Sequence, residues 1–128
     1  PKRNLCGNCR ACVDACPAGA LCGDGSMDAR KCLSYLTIEH RGPLPEEAGE
    51  QMGDCFYGRD RCAEVCPWNH FARPTQETAF APSAELLRMK TEDWRMLDVE
   101  TYRRLFKGSA VKRAKYEGLK RNIDAWKP

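Results

Sequence analysis

Apolar residues recur at helical spacing in several short stretches, and period-two alternation is scarce. After a Gly-Asp-Gly-Ser turn at 23–26, Ala29, Cys32, Leu33 and Leu36 share a helical face. That spacing predicts a short helix over 29–39 with Asp28 as its N-cap. Gly42-Pro43-Leu44-Pro45 breaks it, and Pro45, followed by Glu46 and Glu47, suits the first turn of a second short helix. Residues 72–82 hold Pro74 and Pro82 and read as a connector. Ser83 and Thr91 are expected to cap two short helices, another follows over 99–107, and Gly108 suits its C-terminal end. Ser109 then opens a last helix toward Trp126, with Val111, Ala114, Leu119, Ile123 and Trp126 as its apolar stripe. The pattern predicts a mainly α fold with little strand. It divides into a cysteine-bearing domain over 1–72 and a helical extension over 73–128.

The chain has 128 residues and is 42% hydrophobic, enough for a modest core that a small domain often supplements with a staple. The nine cysteines, all in the first half, are the obvious staple. An odd number leaves one thiol over in a pure disulfide framework. No apolar h-region follows Pro1-Lys2-Arg3-Asn4-Leu5, and no run of eighteen apolar residues exists. These features predict a cytoplasmic protein with no membrane partner, where dense cysteine points to metal. Charge is uneven: residues 1–100 carry 12 basic and 16 acidic groups, and residues 101–128 carry 9 and 2. The extension is therefore the basic part.

The strongest chemical signal is Cys6-x2-Cys9-x2-Cys12-x3-Cys16-Pro17, the bacterial ferredoxin run. Cysteines three residues apart let one tight loop wrap a cubane and offer it three thiolates. Residue 16 has left that loop and reaches a second cluster, and Pro17, lacking an N–H, turns the chain away. Cys62-x3-Cys66-Pro67 repeats the ending. In such a pseudo-symmetric pair each Cys-Pro serves the partner's cluster. Cluster one would then take Cys6, Cys9, Cys12 and Cys66. Cluster two would draw on Cys16 and Cys62, with two further thiolates from Cys32, Cys55 or Cys22. The competing metal is zinc, which usually takes four ligands as two Cys-x2–4-Cys pairs and suits this triple spacing poorly. Cys22 alone reads more simply as a small thiol with no ligand role.

The run Asp28-Ala29-Arg30-Lys31-Cys32-Leu33-Ser34-Tyr35-Leu36-Thr37-Ile38-Glu39-His40-Arg41-Gly42-Pro43 resembles a signature stretch of the epoxyqueuosine reductase family. Tyr57-Gly58, Val65-Cys66-Pro67-Trp68-Asn69, Phe106-Lys107-Gly108-Ser109 and Gly118-Leu119-Lys120-Arg121-Asn122 extend the resemblance from about residue 5 to about 123. It implies two [4Fe–4S] clusters in a ferredoxin-like module, a cobalamin cofactor, and reduction of epoxyqueuosine to queuosine in tRNA. It also implies that Cys6, Cys9, Cys12 and Cys66 hold one cluster and that Cys16, Cys32 and Cys62 hold most of the other. Two departures accompany it. The family has a cysteine three residues before the position of Cys62, and this chain has Arg59. A guanidinium is cationic and has no lone pair to give. Cys55 is the expected displaced fourth ligand, and the alternative is a three-iron or labile second cluster. The family's cobalamin-binding domain, which carries the catalytic acid, precedes this region. The expectation is therefore a portion or subunit of a larger enzyme, inactive on epoxide alone, with no catalytic residue of its own.

Trp68 is expected to shield a cluster and Asn69 to cap a turn, while His40 and Glu39 read as structural or solvated. Arg103, Arg104, Lys107, Lys112, Arg113, Lys115, Lys120 and Arg121 form a basic stripe able to meet tRNA phosphates. Tyr102 and Tyr116 read as core. The expected mechanism is an electron relay from an external donor, through the clusters, to a cobalamin held outside this chain. A stand-alone ferredoxin-like carrier and a zinc-dependent nucleic-acid-binding module are the rival functions.

Overall fold

The structure is a computed structural model that describes residues 5–128. Among these residues it is built from short helices: α1 (Ala11–Asp14), α2 (Leu33–Ile38), α3 (Ala48–Gln51), α4 (Arg61–Glu64), α5 (Ala84–Arg88), α6 (Thr91–Arg95), α7 (Val99–Leu105) and α8 (Lys115–Ala125). 3₁₀ turns cover Pro67–Phe71, Thr78–Phe80 and Ala110–Ala114. Strand content among the described residues is an isolated antiparallel bridge between Leu21 and Met27. The mainly helical expectation therefore holds.

Several boundaries differ from the sequence pattern, among them that of α3, which starts at Ala48 with Glu47 as its N-cap and not at Pro45. α2 starts at Leu33, with Cys32 as its N-cap in an extended conformation. Asp28 is engaged elsewhere: its carboxylate accepts the Arg30 main-chain N–H at 3.1 Å and the Arg30 guanidinium at 2.9 Å, which closes a local turn instead of opening a helix. Thr91 is the first helical residue of α6 and not its cap; the N–H of Lys90, the N-cap, donates to the Asp93 carboxylate at 2.8 Å. Ser109 does cap, accepting from the Val111 N–H at 3.2 Å, but the segment it opens stops at Ala114. Lys115 sits at φ +60°, ψ 170°, a region almost reserved for glycine that costs on the order of 1–3 kcal/mol. The last helix is thus in two pieces. Ser83 caps α5 as expected, accepting from the Leu86 N–H at 3.2 Å.

Two apolar clusters make the core. Leu33, Leu36, Ala48, Met52 and Trp126 form one. Leu97, Tyr102, Phe106, Leu119 and Ile123 form the other, and Phe56 packs against both. Phe56 meets Trp94 and Trp126 edge-on at 5.0 and 5.1 Å between ring centroids. Packing therefore crosses residue 72, since Trp126 from the extension fills a cluster otherwise built by residues 33–52. Each fully buried Leu or Ile contributes about 1.5–3 kcal/mol.

The C-terminal end of α2 explains how α8 docks. The last carbonyls of a helix lack intrahelical donors and must find others. Arg121 donates to the Leu36 carbonyl at 2.8 Å, and also to the carbonyls of His40 at 2.9 Å and Gly42 at 2.7 Å. Asn122 donates to Thr37 O at 2.7 Å, and Arg41 to Ile38 O at 3.1 Å. Burial, with the neighbouring Arg41 charge, lowers the proton affinity of Arg121 below the ordinary arginine value.

Candidate metal centre

The two Cys-Pro segments have matching local structure. α1 ends before Cys16, whose N–H donates to Val13 O at 3.3 Å, and α4 ends before Cys66, whose N–H donates to Ala63 O at 3.2 Å. Cys66 takes an extended conformation (φ −69°, ψ 121°), as the residue before a proline prefers. α1 packs against α4, which sets the two motifs side by side.

This packing gathers thiols from both motifs. Cys6, Cys9, Cys12 and Cys66 line one cavity of about 250 Å³, together with Pro67 and Trp68. Gly7 at φ +54° and the bond from the Cys9 N–H to Cys6 O at 2.9 Å make the loop that presents the first of them. A second cavity of about 40 Å³ is lined by Cys16, Cys32 and Cys62, and Arg59 and Arg61 form part of its wall. The Ala20 N–H donates to Cys16 Sγ at 3.3 Å, a bond suited to a thiolate. Among the described residues no three His, Cys, Asp or Glu groups converge where a single ion could sit. Zinc would need sulfurs about 2.3 Å from one point. The four thiols around the larger cavity leave room for a polynuclear cluster. Site one, with four thiols, fits a cubane. Site two offers three thiols and a guanidinium.

Cys55 is not brought to either cavity. Its thiol donates to the carbonyls of Tyr57 at 3.1 Å and Gly58 at 3.5 Å, and it lines a separate pocket with Phe56, Trp94 and Phe106. Cys22 is exposed in the turn between Leu21 and Met27 and lines neither thiol cavity. Arg59 is held at site two by Ser34, whose hydroxyl accepts the Arg59 N–H at 2.9 Å and donates to the Arg59 carbonyl at 3.0 Å. Its guanidinium also pairs with Asp54 and holds that carboxyl below the usual carboxylate range. The Arg59 Nε is buried with no hydrogen-bond partner. The bond between Ser34 and Arg59 has no signature in the sequence beyond the position of Ser34, two residues after a ligand candidate.

Trp68 forms a wall of site one but is half exposed, and Asn69 donates to the Ala63 carbonyl. His40 packs back on its own turn, Nε2 against Pro43 O at 3.0 Å, and Glu39 pairs with Arg113 at 2.8 Å. Tyr102 is buried, and the Tyr116 hydroxyl donates to Leu97 O at 3.0 Å. The basic residues fall into three groups. Arg103, Lys107, Lys112 and Lys115 are exposed, with no ion pair or hydrogen bond from their side chains among the described residues. Arg104 and Arg113 are exposed and paired with Glu85 and Glu39. Lys120 and Arg121 turn inward to main-chain carbonyls, Lys120 to Arg95 O at 2.7 Å. No helix among the described residues is long and apolar enough to cross a membrane.

Comparison with known proteins agrees with this geometry. The 4Fe-4S double cluster binding domain family matches residues 5–69. A protein of Cellulophaga algicola named epoxyqueuosine reductase is 44% identical over 97% of this chain and 40% of its own length. One of Yersinia pestis with the same name is 42% identical over 96% of this chain and 30% of its own. The chain thus spans well under half the length of these relatives. Among solved structures, epoxyqueuosine reductase from Bacillus subtilis superposes with a TM-score of 0.84 at 29% identity, over 98% of this chain and 33% of that one. A structure of epoxyqueuosine reductase with an epoxyqueuosine-modified tRNA stem loop gives the same values. The pseudo-symmetric Cys-Pro motifs, the thiols they gather and the match over residues 5–69 place this chain in the 4Fe-4S double cluster binding domain family, in the form found within proteins named epoxyqueuosine reductase.

Proposed function

We propose that this chain is the iron–sulfur electron-relay portion of a cobalamin-dependent epoxyqueuosine reductase acting on tRNA in the cytoplasm. The cobalamin is held by another domain or subunit, and an external donor supplies the electrons. The observation that carries the proposal is the cavity ringed by Cys6, Cys9, Cys12 and Cys66, which joins the two ends of the cysteine-rich domain. When bound, iron–sulfur clusters supply single-electron transfer and leave proton chemistry to other groups. The chain's residues hold and screen them. Four thiolates ligate at site one, Pro67 leads the chain away without an N–H, and Trp68 screens one wall. Cys16, Cys32 and Cys62 serve the second site.

The extension supports a tRNA-facing role. Arg103, Lys107, Lys112 and Lys115 are free to meet phosphates, and Arg104 and Arg113 are exposed beside them. Lys120 and Arg121 serve the same surface indirectly, by fixing α8 to the rest of the chain.

The test uses cells that lack their own epoxyqueuosine reductase. They would express this chain together with a cobalamin-binding portion, and tRNA nucleosides would be read by mass spectrometry. Queuosine should appear with the native chain and vanish with Cys12→Ser. Persistent epoxyqueuosine with an iron-loaded native chain would overturn the proposal.

A further inference from the structure

Site two has an arginine, paired with Asp54, where the sequence lacks a fourth cysteine. Arg59 lines the cavity of Cys16, Cys32 and Cys62. Its main chain is pinned on both sides by the Ser34 hydroxyl, so the residue is held at this wall by the scaffold. Its Nε–H is buried and unpartnered, an arrangement that costs free energy unless an acceptor arrives. Cys55 is not among the residues that line this cavity; its thiol lies against the Tyr57 and Gly58 carbonyls and lines another pocket. Cys22 is exposed and does not itself line the cavity, although Leu21 and Met27, which bracket its turn, do.

From this we infer that the second site of this chain holds a three-iron cluster on Cys16, Cys32 and Cys62, with the Arg59 Nε–H donating to one of its sulfides. The inference rests on the two-cluster reading above and departs from it at one corner. A cubane on three thiolates would have to take its fourth donor from solvent, because the guanidinium has no lone pair to give. The guanidinium is paired with Asp54, so this wall of the site offers neither a thiolate nor a free carboxylate to a fourth iron. A cluster carried by three thiolates is an anion, and the orphaned N–H supplies the hydrogen bond that such a sulfide accepts. The charge further favours the reduced, more negative state, so Arg59 raises the potential of the site.

The experiment is anaerobic reconstitution of the full chain, with iron and sulfide counted per chain and EPR recorded before and after dithionite. The reconstituted native chain should hold about seven irons and show a three-iron signal before dithionite is added. Cys55→Ser should leave both unchanged. Arg59→Cys should bring the count to about eight irons and replace the three-iron signal with that of a second cubane. Arg59→Gln should keep the three-iron signal while lowering its midpoint potential. About eight irons and two cubanes in the native chain would overturn the inference, as would a Cys55→Ser variant that loses iron from site two. A chain that binds no iron–sulfur cluster would overturn the two-cluster reading and this inference together. The tRNA assay above is read separately, so failure of that activity with a seven-iron chain leaves the three-iron assignment standing.

Discussion

Asn122 on α8 donates its side-chain N–H to the carbonyl of Thr37 on α2 at 2.7 Å, and both residues are fully buried. The Thr37 hydroxyl in turn donates to Leu33 O at 2.6 Å and accepts the Gly58 N–H at 3.0 Å. One buried polar chain therefore runs from the basic extension, through α2, to the loop that leads into Arg59. It couples the cysteine-rich half to the helical half through directional bonds as well as apolar packing.

Asn122→Leu would leave the Thr37 carbonyl without its donor and remove the acceptor Oδ1 from Arg121. The expected loss is about 2 kcal/mol, because an unsatisfied buried group retains its desolvation cost. Chemical denaturation of the anaerobic protein, followed by circular dichroism, measures it. Unchanged stability would mean that the polar chain is incidental to docking.

Gly49 is buried on α3 against the end of α8, and a Cβ there would lie 2.1 Å from the Ala125 carbonyl oxygen. Gly49→Ala should destabilise the protein by about 1–3 kcal/mol through overpacking against main chain that cannot rotate away. The fluorescence of Trp126 reports the displacement, since its indole N–H donates to Gly53 O at 2.7 Å in the same region.

The exposed cations predict a graded response to RNA. Replacing Lys112 and Lys115 by alanine should weaken binding of a tRNA anticodon stem loop, and lower the salt slope by about 1 for each phosphate left unneutralised. Arg121→Ala should instead lower thermal stability, because three carbonyls of the α2 end lose their donor. Fluorescence anisotropy over a salt series separates the two behaviours.

Two exposed ion pairs predict an acid-side loss of stability. Hydrogen bonding to Arg113 holds the Glu39 carboxyl below its ordinary value, and Arg59 does the same for Asp54. A carboxyl depressed in the folded state stabilises it above the unfolded pKa, about 4, and that contribution is lost as pH falls through the folded value. Stability should therefore drop below about pH 4, and Glu39→Gln should flatten part of that slope. Both pairs face solvent, so the effect is small and sensitive to salt.

The metal chemistry was legible in the sequence because cluster loops carry a rigid spacing. The ferredoxin run and the repeated Cys-Pro ending predicted that Cys66 joins Cys6, Cys9 and Cys12, and the packing of α1 on α4 gathers those four. The position of Cys55 was not legible. Its thiol lies against the Tyr57 and Gly58 carbonyls and lines a different pocket from Cys16, Cys32 and Cys62, a placement no one-dimensional spacing encodes. The same holds for Asp28, a good cap by residue type that the adjacent Arg30 draws into a turn. The stripe from Val111 to Trp126 marked the buried face of the last segment, yet the break at Lys115 left no sign, since lysine rarely occupies such a backbone conformation. Lys120 and Arg121 read as surface charge because their carbonyl partners are distant in sequence.

The most direct test is the metal content and visible absorption of anaerobically isolated native chain beside Cys66→Ser and Cys22→Ser. Joining of the two motifs at site one predicts a brown native protein. Cys66→Ser should lose about four irons, while Cys22→Ser keeps them all. A colourless, zinc-loaded native protein, or a Cys66→Ser variant with its full complement of iron, would contradict the assignment of Cys66 to the cluster of Cys6, Cys9 and Cys12.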